Sequence, residues 1–376
     1  MINVAVYGNL KWSILMKELL EKEYSELLSD NNEDHICVKA FVVDNPVNEN
    51  EISVQDFINN YMEGTLSAIV IPKEYYIAYN DLILKLIRSG VDTDDIYNGL
   101  RLFEDIRNKP EYIKYLITPM ISDSYLSYLE FHVADHCNLN CKYCTHFSPL
   151  VKEPVFTDLD RFKSDLKQLN KYIKDIGVIR ILGGEPLLNP ELPQFIEYTR
   201  KIYPGSIITV VTNGLLLDKI SDELINCMKD NKAFFFISYY PPLENKLSGI
   251  KEFLVKNKVP YSMSPKIETF NETQSLNENN NEDFFYYCFQ ATCTCLQDGK
   301  IAPCYAPFTT KYFNKEFDLD LPTDEGIDLY SEELNMSMLK MSLLIPMERC
   351  NYCILGKAHP WQVIGKNSKL EDWVKI

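Results

Sequence analysis

The sequence predicts an α/β protein in three parts, two of them built on parallel sheets and the third organised by metal. Three observations carry that reading. Apolar strand runs alternate with helical runs in two separate series, three cysteines crowd into "HCNLNCKYC" just after a strand, and six of the eleven cysteines fall beyond residue 285. Strands separated by helices imply parallel pairing, because a parallel neighbour is reached only by a crossover. The expected divisions are 1–122, 123–270 and 271–376.

With 376 residues and 46% hydrophobic content, the chain can build two or three buried cores. A formal net charge of -16 argues against a general nucleic-acid surface, which draws on clustered Lys and Arg. The opening "MINVAVYGNLKWSILMKELLEK" has neither a basic n-region nor a cleavage site, and no apolar run approaches the roughly 20 residues that span a bilayer. The expectation is a soluble, cytoplasmic protein without a membrane span. In that compartment cysteines serve as metal ligands or free thiols rather than disulfides.

In the first series "INVAVYG", "VKAFVVD" and "SAIVIP" read as buried strands, and "SILMKELLEKEYSELL" and "YYIAYNDLILKLIRSG" as helices, the second ending at Gly90. This order resembles half of a Rossmann fold and looks like the nucleotide-binding-type domains of bacterial surface-polysaccharide gene products. A dinucleotide fingerprint needs G-x-G-x-x-G after the first strand, whereas "YGNLKW" supplies only Gly8. Asp44 stands where a ribose-binding acid would, yet an acid closing a strand is also ordinary turn chemistry. A structural or protein-docking role for this part is therefore placed ahead of cofactor binding.

The second series has strands "YLEFHV", "VIRILG", "SIITVVT", "AFFFISYY" and "VPYSM", with helices in "TDLDRFKSDLKQLNKYI" and "LLLDKISDELINCMK". Thr157 is the expected N-cap of the first helix. Such units close into a barrel or an open twisted sheet, and in both the working loops follow the strands' carboxyl ends. The stretch "IETFNETQSLNENNNEDFF" loses periodicity and reads as a mobile surface linker.

Cys137, Cys141 and Cys144 are spaced C-x3-C-x2-C, one ligand short of a closed four-cysteine site. Three thiolates hold three irons of a [4Fe-4S] cubane and leave the fourth open; zinc fits the spacing too, with His136 or His146 as fourth ligand. "ILGGEP" brings Gly183, Gly184, Glu185 and Pro186 to the end of the next strand, where the glycines expose backbone to a ligand and the Glu accepts from an ammonium. "VVTNG" brings Thr212 and Asn213 to the end of the third. Together these resemble the radical S-adenosylmethionine (SAM) superfamily, whose signature is C-x3-C-x-aromatic-C followed by a GGEP-type motif, over about residues 126 to 265. The resemblance implies a partial (β/α)6 TIM-like barrel, a cluster on Cys137, Cys141 and Cys144, and Tyr143 near the adenine of S-adenosyl-L-methionine. It also implies Gly183, Gly184 and Glu185 on the methionine amine, and Ser238 on its carboxylate or the ribose. His132, Asp135, His136 and His146 crowd the cysteine loop, as loop caps or as proton donors.

"CFQATCTCLQDGKIAPC" reads as a hairpin around Asp298-Gly299, and "CNYC" follows later. Cys288 to Cys304 with Gly299 between, then Cys350 and Cys353, resemble the twitch or SPASM auxiliary-cluster domains of the same superfamily. That resemblance implies one auxiliary [4Fe-4S] cluster on Cys304, Cys350 and Cys353, with Cys288 or Cys293 as fourth ligand and Cys295 spare; a structural zinc ribbon is the alternative. Cys37 and Cys227 read as small core residues. The implied activity is reductive SAM cleavage and hydrogen abstraction from a substrate, with a reductant such as flavodoxin or ferredoxin. The first-series resemblance points to a sugar or polysaccharide precursor as small-molecule substrate, undergoing dehydrogenation or epimerisation. A ribosomal peptide is the enzymatic rival, and a non-catalytic electron-transfer or zinc protein the rival of another class.

Overall fold

The structure is a computed structural model describing residues 2–8, 11–21, 35–72, 80–99, 117–119, 125–278, 285, 288–365 and 367–374. The chain divides into two compact units, Met1–Ser127 and Tyr128–Ile376. The expected boundary at 122 lies outside the described residues.

In the first unit, β1 (Ile2–Tyr7), β2 (Ile36–Val42), β3 (Glu51–Ile52), β4 (Ala68–Pro72), β5 (Ile96–Gly99) and β6 (Ile117–Pro119) form one sheet in the order β3-β2-β1-β4-β5-β6. All pairs are parallel except β5 with β6. Helices α1 (Lys11–Leu19), α2 (Val54–Met62) and α3 (Asn80–Arg88) connect the strands. Ser53 and Asp56 close a capping box that starts α2, and Gly90, with φ of 91°, follows the end of α3. The order reverses between β1 and β4, as in half of a doubly wound sheet. Residues 9–10 and 73–79, which follow those two strands and include the expected start of α3, lie outside the described residues. Asp44 accepts from the Tyr7 hydroxyl at 3.4 Å, a local turn contact.

The second unit is built on an eight-stranded sheet. Its strands β7 (Tyr125–Ala134), β8 (Asp175–Gly183), β9 (Ile207–Thr212), β10 (Phe234–Ile237) and β11 (Tyr261–Met263) are joined through α4 (Leu159–Tyr172), α5 (Leu192–Ile202), α6 (Asp222–Asp230) and α7 (Leu247–Lys256). The order is β11-β10-β9-β8-β7-β13-β14-β15, with β13 (Cys295–Gln297) parallel to β7, then β14 (Lys300–Ala302) and β15 (Ile327–Asp328) antiparallel. This is the partial barrel. One face of β7 packs on the helices, with Phe131 on Phe162 of α4 at 4.4 Å between centroids and Phe162 on Phe195 of α5 at 4.8 Å.

Three expectations change. Asp158, not Thr157, caps α4: its carboxylate accepts from Arg161 N at 2.7 Å, while the Thr157 hydroxyl donates to His132 O. The Asn- and Glu-rich stretch is not a loose linker through residue 278. There β12 (Thr269–Asn271) pairs antiparallel with β16 (Ala358–Pro360), and Gln274 bridges to Cys353; residues 279–284 lie outside the described residues. The cysteine-rich C-terminal region lies within the second unit, because its first hairpin strand extends the barrel sheet. That hairpin turns at Asp298 and Gly299, both with positive φ, as a type I′ turn requires. It leads to α8 (Ala306–Phe317), with α9 (Met336–Ser342) beyond.

Candidate functional site

Cys137, Cys141 and Cys144 lie in the loop after the carboxyl end of β7. Burial raises all three thiols, Cys137 to about 12, and charge on neighbouring cysteines of the set adds to the rise on Cys137 and Cys141. The loop needs positive φ at Tyr143 and Phe147. The end of the chain holds it there. Lys142 N donates to Gln362 O, Ile364 N to Asn140 O and Tyr143 N to Asp372 O, and Cys141 bridges to Val363. The Tyr143 ring stacks on His359 at 4.7 Å, and His359 in turn bonds Glu272.

Gly183 and Gly184 meet this loop backbone to backbone. A Cβ on Gly183 would lie 2.0 Å from Ala134 O, and one on Gly184 2.2 Å from His136 O. The contact is closed by Gly184 N donating to Ala134 O at 2.7 Å and Glu185 N to His136 O at 3.1 Å. The glycines are therefore required by loop-to-loop packing, a different reason from the ligand exposure expected of them. Glu185 is fully buried and accepts from Thr212 Oγ1 at 2.7 Å, Asn213 N at 2.9 Å and Leu187 N at 3.1 Å. Burial pushes its carboxyl up to about 7 against those three donors. Pro186 opens the short 3-10 turn that follows. Ser238 N donates to Thr212 O at 2.8 Å, so the ends of β8, β9 and β10 are brought together beside the cysteine loop.

The imidazoles are held by their surroundings. His132 Nδ1 donates to Asp135, which also accepts from the Tyr312 hydroxyl; burial opposes ionisation of Asp135, but these bonds hold its carboxyl below the usual range. His136 Nδ1 accepts from Val155 N, and His146 Nδ1 donates to Gly183 O, with burial lowering His146 to about 3.

The second set assembles from distant segments. Cys304 is buried and its thiol is raised by burial, then by charge on Cys350, Cys353 and Cys288. Burial pushes Cys288 up to about 11 and Cys350 up to about 12, and each also feels Cys353. The charge of Cys293 is felt at Tyr128, Cys295 and Tyr305, and Tyr305 also feels Cys304. Cys288 also packs in one apolar cluster with Cys350, Phe285 and Ala291. Cys227 is buried and donates to Pro193 O, as a core thiol; Cys37 is half-buried in β2.

Donors surround the sulfurs, which is the fit a thiolate-bound cluster requires. Leu139 N lies 3.3 Å and Asn213 Nδ2 3.7 Å from Cys137 Sγ, and Arg349 Nη1 3.7 Å from Cys353 Sγ. Two buried donors have no nitrogen or oxygen partner and face sulfur instead: Ser148 Oγ beside Cys144, and Trp361 Nε1 beside Cys141. Thiols accept weakly and iron-bound thiolates well, so a bound cluster would satisfy both. Among the described residues, no group of three His, Cys, Asp or Glu side chains stands ready to hold a single metal ion. Sequence reasoning missed Tyr240, whose hydroxyl is raised by burial and by the charges of Cys141, Cys144 and Cys137, and missed Trp361 and Arg349. Only Arg349 carried a signal, as a cation adjoining "CNYC".

Residues 131–243 match the family model described as "Radical SAM superfamily". The GTP 3',8-cyclase of Clostridium acetobutylicum is 35% identical over 151 residues, covering 37% of this chain and 46% of that protein. The GTP 3',8-cyclase of Sulfurimonas denitrificans is 32% identical over 164 residues, covering 39% and 50%. The chain thus spans about half the length of the curated relatives it matches. The solved structure of BtrN in complex with AdoMet and 2-DOIA is 19% identical with a TM-score of 0.39, over 62% of this chain and 94% of that one. Residues 131–243, which hold the cysteine loop and the strand ends just described, thus carry a radical SAM domain.

Proposed function

We propose that the chain is a radical SAM enzyme carrying an auxiliary [4Fe-4S] cluster in residues 271–376. The observation that carries the reading is the placement of Cys137, Cys141 and Cys144 against the Gly183–Glu185 backbone, with donors turned toward their sulfurs. Bound there, a [4Fe-4S] cluster supplies one-electron reductive cleavage of S-adenosylmethionine to methionine and a 5'-deoxyadenosyl radical, which takes hydrogen from a substrate. The chain's own part is to bind and orient. Three cysteines hold the cluster, Glu185 and Asn213 fix the neighbouring strand ends, and the 358–364 segment is bonded over the loop. In this reading Tyr143, Gly183, Gly184, Pro186, Thr212 and Ser238 form the surrounding wall. A cytoplasmic location and a flavodoxin- or ferredoxin-type reductant belong to the same proposal; among the described residues no helix is long and apolar enough to cross a membrane.

For the substrate we propose a sugar or surface-polysaccharide precursor, supported by the doubly wound order of the first unit. A nucleotide is the second reading, favoured by the relatives' name, GTP 3',8-cyclase. A ribosomal peptide is the third. Anaerobically purified protein, given a strong one-electron donor, should form 5'-deoxyadenosine from S-adenosylmethionine, and Cys141→Ala should abolish this. Undiminished cleavage in that variant would refute the assignment, and no cleavage by the iron-loaded wild type would favour a non-catalytic metal protein.

A further inference from the structure

We propose that Arg349 is the built-in counter-charge of the second cysteine set, a positioning residue that raises the reduction potential of the cluster held there. The inference rests on the auxiliary-cluster reading above. Arg349 opens the "RCNYC" segment, and its side chain is fully buried. Taking a guanidinium out of water costs several kcal/mol unless an anion meets it. Its side-chain partners are neutral or sulfur: Nε donates to Thr310 Oγ1 at 2.8 Å, Nη2 to Gln274 Oε1, and Nη1 points at Cys353 Sγ from 3.7 Å. Glu325 is near enough to feel the guanidinium's charge, but its carboxylate accepts from the backbone N–H groups of Glu348 and Arg349 at 2.7 and 2.8 Å and forms no ion pair with the side chain. Among the described residues no carboxylate forms an ion pair with the guanidinium.

A fixed, permanently charged Arg so placed calls for a negative sulfur. A free thiol does not provide one, and a metal-bound cysteine does, because coordination removes its proton. Reduction of a cluster adds one electron and breaks no bond, so the centre becomes more negative by one charge. A buried cation in contact with a ligand sulfur favours that state, and the potential rises. The first cysteine set has no such partner in its sequence neighbour Lys142, whose ammonium is paired with Asp372 at 3.3 Å. The second centre is thus equipped to take an electron, which is what a substrate radical must give up if a dehydrogenation is to finish.

The test uses the full-length chain carrying Cys137→Ala, Cys141→Ala and Cys144→Ala, so that only the second set loads. After anaerobic reconstitution the parent should hold about four irons, and their absence would overturn the cluster reading and this inference with it. Mediated redox titration, read by electron paramagnetic resonance, then compares Arg349, Arg349→Lys and Arg349→Gln. At the parent's midpoint, Arg349→Gln should lower the reduced-to-oxidised ratio at least tenfold, about 59 mV for a one-electron couple. Arg349→Lys keeps the charge and should stay within about threefold of the parent, a shift of under half that size. An iron-loaded Arg349→Gln titrating at the parent midpoint overturns the proposal. If the Gln variant fails to load, the Lys variant decides: a tenfold fall there shows that charge is not the determinant.

Discussion

Around Cys137, Cys141 and Cys144 the groups turned toward sulfur are neutral, namely Leu139 N–H, the Asn213 amide, the Ser148 hydroxyl and the Trp361 indole. Beside Cys353 the donor is a buried guanidinium. The first set is also compact in sequence, and its loop is pinned by main-chain bonds from Gly184 and Glu185 and by others shared with Gln362, Ile364 and Asp372. Cys288, Cys304, Cys350 and Cys353 come from segments that only folding assembles. Three ligands with neutral donors suit a centre that must stay open to a chelating cofactor and be strongly reducing; four ligands with a cation suit a closed one that is more easily reduced. The difference lies in what each site is asked to do with an electron.

The sharpest way to break the comparison is to remove the second set. Wild type should hold about eight irons, two cubanes of four. A Cys350→Ala, Cys353→Ala double variant should lose about half, turn over its true substrate at least a hundredfold more slowly, and still form 5'-deoxyadenosine, because that bond is cut at the other centre. Losing a metal can unfold the region it organises, so the assay is read on monodisperse protein. Complete loss of cleavage in folded double variant would show that the two sets do not divide the work.

A narrower test asks which cysteine closes the second set. Cys288 packs beside Cys350 and its charge is felt at Cys304, and on that ground we propose it as the fourth ligand ahead of Cys293. Cys288→Ser should therefore lower iron content and shift the second cluster's resonance signal, and Cys293→Ser should leave both as in wild type. The reverse pattern would make Cys293 the fourth ligand.

Most of the first site could be read from the chain because its parts are local. Cys137, Cys141 and Cys144 lie in the loop after β7, Gly183 ends β8 with Gly184 and Glu185 next, and Asn213 follows β9; strand ends are where such sheets carry their loops. What could not be read is what reaches in from afar. His359, on the three-residue strand β16, and Trp361, just beyond it, reach the cysteine loop from a segment too short to leave a periodicity behind. The reason for Gly183 and Gly184 was hidden too, since only the folded contact shows carbonyls standing where a Cβ would go. The Asn-rich stretch misled because β12 is an edge strand of three residues with little apolar content, ordered by its pairing with β16.

That packing gives a prediction of intermediate size. Gly184→Ala would place its Cβ 2.2 Å from His136 O and 2.7 Å from Asp135 O, so the two loops must part and strain the bonds from Gly184 N and Glu185 N. A cost of about 1–3 kcal/mol is expected in thermal or denaturant unfolding of the metal-free protein. Cofactor cleavage should fall with it, since the first cluster's loop is displaced. An unchanged unfolding midpoint would mean that this contact has slack, and the contrast between a pinned first loop and an assembled second set would weaken.

The smallest expected effect is at Trp361, and it separates a donor to the cluster from a packing residue. Its buried Nε1–H has no nitrogen or oxygen partner and faces the Cys141 sulfur, while the ring stacks on Tyr240 with centroids 6.3 Å apart. Trp361→Phe keeps an aromatic face and removes only the polar atom. In metal-free protein the Cys141 thiol is a weak acceptor and leaves this donor poorly satisfied, a state that costs up to about 1–3 kcal/mol, so Phe should be neutral or stabilising there, apart from the small volume it gives up. Once iron is bound the Cys141 thiolate becomes an acceptor and the sign reverses: the variant loses a hydrogen bond to a ligand sulfur, and the first cluster's potential should fall. The drop should be smaller than the one expected for Arg349→Gln at the second cluster, because an indole N–H carries a partial charge and a guanidinium a full one. Paired measurements decide it, the unfolding midpoint without metal and the midpoint potential with it. Phe that destabilises the metal-free protein and leaves the potential unchanged would make Trp361 a packing residue, and the neutral-donor description of the first site would then rest on Asn213, Ser148 and the Leu139 amide.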